Sequence, residues 1–132
     1  MRVLLTIFLC SLLVWSCNPN GTSTVQQLSV ADFKTAIEAS APNQLIDVRT
    51  DDEVSQGVIA NARQIDIASP DFEQKLDQLD KSVPVYVYCA IGGRSAQAAQ
   101  ILAQKGFSRV YNLADGMQGW LQAGQRVSPL RR

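Results

Sequence analysis

Short apolar runs and longer stretches with a helical repeat alternate along residues 25–132. Runs of four to six apolar residues bounded by polar or turn residues are typical of buried strands. The stretches between them repeat apolar residues every three or four positions, as one face of a helix does. The apolar runs predict strands over residues 45–48, 64–67, 83–88 and 110–113, and the run over 83–88 is expected at the centre. This order predicts an α/β domain with a mostly parallel central sheet.

Capping residues and glycines set the expected helix ends. Ser29 and Asp32 resemble a capping box, and Thr50 is placed to cap a brief helix. Ser69 is an expected N-cap because Pro70 follows it at the first helical position, where proline fits well. The predicted helices cover residues 30–39, 51–55, 70–80, 95–105 and 116–123.

The first residues have the pattern of an export signal. Met1 and Arg2 precede an apolar run over residues 3–15, shorter than the ~20 residues that span a bilayer. The run ends in LVWSC, which resembles a bacterial lipoprotein cleavage box, although Trp15 is bulky for its place. We expect residues 1–16 to be a signal peptide and residues 17–24 to be a lipidated Cys17 with a polar tether. The alternatives are an ordinary signal peptide or an uncleaved anchor.

This pattern predicts export to the periplasmic face of a bacterial membrane, anchored by lipid. Asn18 is not the aspartate that marks retention at the inner membrane, so the outer membrane is expected.

Charge and composition exclude several function classes. Twelve basic and twelve acidic residues give a net charge of zero, which argues against nucleic acid as a partner. The sequence has no histidine, so His-based metal sites and Ser-His or Cys-His catalytic pairs are excluded. No metal or organic cofactor site is visible. If Cys10 leaves with the signal peptide and Cys17 is lipidated, Cys89 has no cysteine to pair with and is a candidate reactive thiol.

Cys89 begins the most informative segment, CAIGGRS over residues 89–95, directly after the expected central strand. Backbone N–H groups at the start of a helix can stabilise a thiolate there. Gly92 and Gly93 permit the positive φ values that such a loop needs, and the forked guanidinium of Arg94 can bind an anion. The alternative is a buried cysteine that only fills space.

Three motifs resemble those of the rhodanese family of sulfurtransferases. The loop matches the family pattern Cys-x-x-Gly-x-Arg followed by Ser or Thr. Residues 45–50, with Glu53 and Gly57 behind them, resemble the family's N-terminal signature, and residues 110–120 resemble its C-terminal signature. The resemblance reaches from about residue 25 to 122. Two positions depart from the family: Val58 stands where histidine is usual, and Asp115 where glycine is frequent.

The resemblance implies a single rhodanese-like domain over residues 25–132, with helices on both faces of the sheet. It implies that Cys89 takes a sulfur atom from thiosulfate or a persulfide and passes it to cyanide or a thiol, which a periplasmic protein could supply. Asp47 and Arg49 are expected to support the fold, and Met117 and Trp120 to lie in the core. The expected substrate-binding residues are Ala90, Ile91, Gly92, Gly93, Arg94 and Ser95.

Two other functions stay open at this point. One is a non-catalytic binding or redox-sensing module, although such domains usually lose the cysteine. The other is a phosphatase or arsenate reductase, whose loop is one residue longer. The six residues from Cys89 to Arg94 match the shorter loop of the sulfurtransferases.

Overall fold

The computed structural model describes residues 25–131, which contain five strands and five helices. The strands are β1 (Val25–Leu28), β2 (Gln44–Asp47), β3 (Arg63–Gln64), β4 (Val85–Tyr88) and β5 (Val110–Leu113). The helices are α1 (Val30–Ala39), α2 (Asp51–Val54), α3 (Phe72–Leu76), α4 (Gly93–Gln104) and α5 (Gly116–Gln122). The predicted signal peptide, Cys17 and the tether lie outside the described residues.

All five strands are parallel and form one sheet in the order β1-β5-β4-β2-β3. The central position predicted for residues 83–88 is confirmed: β4 lies in the middle, and each of its residues is buried. Because side chains alternate along a strand, Val85 and Val87 face one side of the sheet while Tyr86 and Tyr88 face the other. Both faces of this sheet are buried and must be covered by helices, which is usual for parallel sheets.

The two faces carry separate hydrophobic clusters. Helices α3 and α4 cover one face, where Phe72, Leu76 and Leu102 pack against the valines of β4. Helices α1, α2 and α5 cover the other, where Phe33 and Trp120 pack with Tyr86 and Tyr88. The predicted fold, a single α/β domain with helices on both faces of a parallel sheet, is confirmed.

Two strands differ from the sequence-based expectations. Strand β1 was not predicted, because Val25–Leu28 includes two glutamines and pairs only with β5 at the edge of the sheet. The strand expected over residues 64–67 is β3, which begins at Arg63. Ile65 and Ile67 follow it, and their N–H groups still donate to β2 or the residue after it.

The prediction that Ser69 caps a helix starting at Pro70 is wrong. Helix α3 spans Phe72–Leu76, so it begins later and ends earlier than the predicted helix over residues 70–80. The hydroxyl of Ser69 donates to the carboxylate of Asp71, and the N-cap of α3 is Asp71, whose side chain makes no capping bond. The carbonyl oxygen of Ser69 accepts from the N–H of Phe72 at 3.1 Å, and Pro70 therefore lies in a turn before the helix.

A buried ion pair fixes the end of β2 against the segment that follows. Asp47 is 0 % exposed and Arg49 is 5 % exposed, and their closest charged atoms are 2.7 Å apart. Arg49 also donates to the carbonyl oxygens of Gly57, at 2.7 Å, and of Glu53, at 3.4 Å. These bonds hold α2 and the turn after it on the end of β2.

Neither a membrane span nor a metal cluster is found between residues 25 and 131. None of the helices there is long and apolar enough to cross a membrane. No three His, Cys, Asp or Glu side chains in that part of the chain come together as metal ligands.

Replacing Asp47 by asparagine should destabilise the fold strongly, because Arg49 would keep its charge while losing its buried partner. Breaking such a pair costs about 3–5 kcal/mol, measured as the free energy of unfolding in urea. Lys75→Gln is the control, since Lys75 pairs with Asp71 on the surface. The urea midpoint of this variant should equal that of the parent. A loss below about 1 kcal/mol in Asp47→Asn would contradict this role of the buried pair.

Candidate active site

Cys89 lies at the carboxyl edge of the sheet, one residue beyond β4, and its loop leads directly into α4. Gly92 is the N-cap of α4 and has φ +96°, in the left-handed region that favours glycine. A Cβ atom at this position would stand 2.0 Å from the carbonyl oxygen of Ala114. Glycine is therefore required here for two reasons, backbone conformation and space.

Two groups donate hydrogen bonds to the sulfur of Cys89. The N–H of Gly92 lies 3.1 Å from Sγ, and the hydroxyl of Ser95 lies 3.3 Å from it. Ser95 is buried on the first turn of α4, so its hydroxyl is held beside the sulfur. The sequence placed Ser95 among the substrate-binding residues; in the structure its hydroxyl contacts the sulfur itself.

These bonds lower the pKa of the Cys89 thiol. Burial acts in the opposite direction, since it disfavours the charged form. The backbone N–H groups of Ser95 and Ile91 also favour the thiolate, and together with the Ser95 hydroxyl and the Gly92 N–H they outweigh that effect. The loop thus favours a thiolate without a histidine base.

The segment around the start of α5 holds the cysteine loop from a second direction. The N–H of Met117 donates to the carbonyl oxygen of Cys89 at 2.8 Å, and the N–H of Gln118 donates to that of Ala90 at 2.9 Å. Gly116 has φ +58°, and a Cβ atom there would lie 2.6 Å from the carbonyl oxygen of Ala90. The conformation of the loop therefore depends on β5 and α5 as well as on its own residues.

Arg94 is held by Glu53 in a bidentate ion pair. Nη1 of Arg94 lies 2.8 Å from one carboxylate oxygen of Glu53, and Nη2 lies 2.6 Å from the other. Glu53 closes the capping box of α2, accepting from the N–H of Thr50 at 3.0 Å. The hydrogen bonds from Arg94 are the main reason that the pKa of Glu53 falls to about 2. The pKa of Arg94 is raised by the same contact, so both groups are charged at neutral pH.

Sequence reasoning did not find this role of Glu53. It named Glu53 as part of a signature, but Glu53 and Arg94 are 41 positions apart and no local spacing links them. The capping box at Thr50 was the one local signal, since it fixes the direction of the Glu53 side chain.

The other expected site residues are distributed around the loop. Ile91 is 69 % exposed, and Gly93 is the first residue of α4. Asp47 and Arg49 contact each other, and Arg49 also contacts the α2 segment. Asp115 is the N-cap of α5, and together with Ile91 it lines an open surface depression of about 800 Å³.

Val58, which replaces the expected histidine, is buried in the core. Its backbone pairs with Ser128 through two hydrogen bonds of 2.8 Å, from Val58 N–H to Ser128 O and from Ser128 N–H to Val58 O. The position therefore contributes packing and backbone pairing to the second cluster of the core.

Cys89 itself is 0 % exposed. A substrate atom can reach the sulfur only if part of the loop moves. Arg94 and Ile91 are the large loop side chains that reach the surface, with 37 % of the Arg94 side chain and 69 % of Ile91 exposed. They form the outer rim of the site.

The sequence is similar to that of known proteins. Residues 29–123 match the family described as Rhodanese-like domain. A sulfurtransferase of Allochromatium vinosum is 36 % identical over 80 residues, which cover 61 % of this chain and 73 % of that protein. The thiosulfate sulfurtransferase GlpE of Coxiella burnetii is 37 % identical over 76 residues, covering 58 % of this chain and 69 % of GlpE.

The fold has similar relatives among solved structures. The crystal structure of a rhodanese-related protein from Thermoplasma volcanium superposes with a TM-score of 0.68 and 32 % sequence identity. The match covers 78 % of this chain and 97 % of that protein.

Replacing Ser95 by alanine should raise the pKa of Cys89, because the thiolate loses its side-chain donor. A hydrogen bond to a charged group stabilises it by about 1.5–3 kcal/mol, and one pKa unit corresponds to about 1.4 kcal/mol. The rate of alkylation by iodoacetamide should therefore fall about tenfold when it is measured at a pH below the Cys89 pKa of both the parent and the variant. Ser82→Ala is the matched control, since the Ser82 hydroxyl bonds to Asp80 on the surface. If the alkylation rates of Ser95→Ala and the parent follow the same pH profile, this role of Ser95 is excluded.

Proposed function

Since the chain belongs to the Rhodanese-like domain family, we propose that it is a sulfurtransferase that carries a sulfur atom as a persulfide on Cys89. One observation supports this function above the rest: the Cys89 thiol, in the loop before α4, accepts hydrogen bonds that lower its pKa. A thiolate is the nucleophile that takes up a sulfane sulfur.

In the first step, the Cys89 thiolate attacks the outer sulfur of the donor. With thiosulfate, the S–S bond of the donor breaks and sulfite leaves with the electron pair of that bond. With a persulfide, a thiolate leaves in the same way. Cys89 then carries the transferred sulfur as a persulfide.

In the second step, a thiophilic acceptor attacks the outer sulfur of that persulfide. Cyanide leaves as thiocyanate, or a thiol leaves as a new persulfide, and the Cys89 thiolate is restored. The two half-reactions balance without an external oxidant or reductant, and the proposal requires no metal or organic cofactor.

Residues of the cysteine loop stabilise the negative charge that these two steps place on sulfur. The loop N–H groups and the Ser95 hydroxyl stabilise negative charge on sulfur, as preorganised donors do. Arg94 interacts favourably with the charge of Cys89 and is fixed by Glu53. Lysine could not replace Arg94, because a single ammonium group cannot make the same bidentate contact.

An intact-mass measurement tests the proposal. The purified full chain, incubated with thiosulfate or an alkyl persulfide and desalted, should gain the mass of one sulfur atom. Cyanide should remove it, and Cys89→Ser should not acquire it. A folded protein that gains no sulfur from either donor would contradict the proposal and favour a binding or sensing module.

We also propose that the protein is exported and anchored by a lipid on Cys17, facing the periplasm. The apolar run over residues 3–15 and the LVWSC sequence support this proposal. In a bacterial host, radioactive palmitate should label the full chain, and Cys17→Ser should abolish the label while Cys10→Ser retains it. Equal labelling of the parent and Cys17→Ser would contradict lipidation at this residue.

A further inference from the structure

The charges around Cys89 indicate which donor the site accepts. Arg94 is the one ionisable cation in residues 89–95, and both terminal nitrogens of its guanidinium are bonded to Glu53. Glu53 is itself fixed by the backbone N–H and the hydroxyl of Thr50, each at 3.0 Å. The cation that an anionic donor would need is therefore already neutralised by a carboxylate.

Further carboxylates surround this ion pair. Asp66 is close enough to Arg94 to raise the pKa of the guanidinium. Asp115 lies on the α5 side of the loop, in the depression beside Ile91. Among the described residues that line the depression, Asp115 is the one with a charged side chain. Three carboxylates and one guanidinium give the rim of the site an excess of negative charge.

The rim also offers an apolar contact. Ile91 projects from the loop with 69 % of its surface exposed, which is unusual for a large aliphatic residue in this protein. Val30, Ala31 and Ala123 line the same depression. An organic group would bury apolar surface there, whereas a small dianion would gain nothing from these side chains.

We propose that the sulfur donor is the persulfide of an organic thiol with an uncharged or cationic carrier, and that thiosulfate is a poor donor. This inference rests on the proposed sulfur transfer. A dianion approaching the loop is repelled by these carboxylates, because like charges raise the energy of the encounter. A persulfide on an uncharged carrier has at most one negative charge, so it is repelled less than a dianion, and its carrier contacts Ile91.

The transfer is balanced. The Cys89 thiolate attacks the outer sulfur of R–S–SH, a new S–S bond forms at Cys89, and the S–S bond of the donor breaks. R–S⁻ leaves with the electron pair and is protonated by water. Cys89 is left as Cys89–S–SH.

The test compares two donors in two variants. The donors are thiosulfate and the persulfide of N-acetylcysteine methyl ester, whose carrier is uncharged. The second-order rate constant for loading Cys89 is measured by intact mass on the full chain. Glu53→Gln removes the carboxylate charge while glutamine can still close the capping box with Thr50. Glu73→Gln is the matched control, because Glu73 pairs with Lys105 on the surface.

In the parent protein, the persulfide should load Cys89 at least about tenfold faster than thiosulfate does. Glu53→Gln should raise the thiosulfate rate constant about tenfold, since a carboxylate no longer offsets the positive charge of Arg94. The rate constant for the uncharged-carrier persulfide should change less than about twofold, and Glu73→Gln should change neither.

Three results have distinct meanings. A thiosulfate rate constant that is unchanged or lower in Glu53→Gln would overturn this inference while sulfur transfer itself stands. A parent that loads from thiosulfate as fast as from the persulfide would overturn it as well. If neither donor loads Cys89 in the parent, the proposed function fails and the inference fails with it.

Discussion

A buried thiolate is stable only where hydrogen bonds offset the loss of water, and much of this structure serves that requirement at Cys89. The sulfur accepts from the Gly92 N–H and the Ser95 hydroxyl, which lie three and six residues after Cys89. Those donors stay in place because the Met117 and Gln118 N–H groups bind the loop from the other side. The pKa of the thiol is thus set by two segments that come together only in the folded domain.

A line of charged residues joins the core to the rim of the site. Asp47 holds Arg49 inside the domain, Arg49 bonds to the backbone of Glu53, and the side chain of Glu53 holds Arg94. The inner pair is buried and shielded from salt, while the outer pair is partly exposed and therefore more weakly held. Specificity at the rim can thus be altered with little effect on the stability of the core.

Sequence patterns predicted the elements whose signals are local. The apolar run that forms β4, the positive φ of Gly92 and the helix cap at Thr50 each depend on neighbouring residues, and each appears as expected. Gly93 does not have the positive φ predicted for it and is instead the first residue of α4. Strand β1 was missed because its pairing with β5 involves residues 85 positions away in sequence. The turn at Ser69 was missed because the Ser69 hydroxyl bonds to Asp71. The Glu53–Arg94 pair was missed because it forms only on folding.

The fit between the cysteine loop and the segment from Ala114 to Gln118 also limits how such a domain can diverge. Gly92 has no room for even a methyl group against the Ala114 carbonyl, and Gly116 has none against Ala90. A residue inserted into the loop would break this fit unless the second segment changed at the same time. A longer loop after Cys89 therefore requires a matching change in a segment that lies more than twenty residues further along the chain.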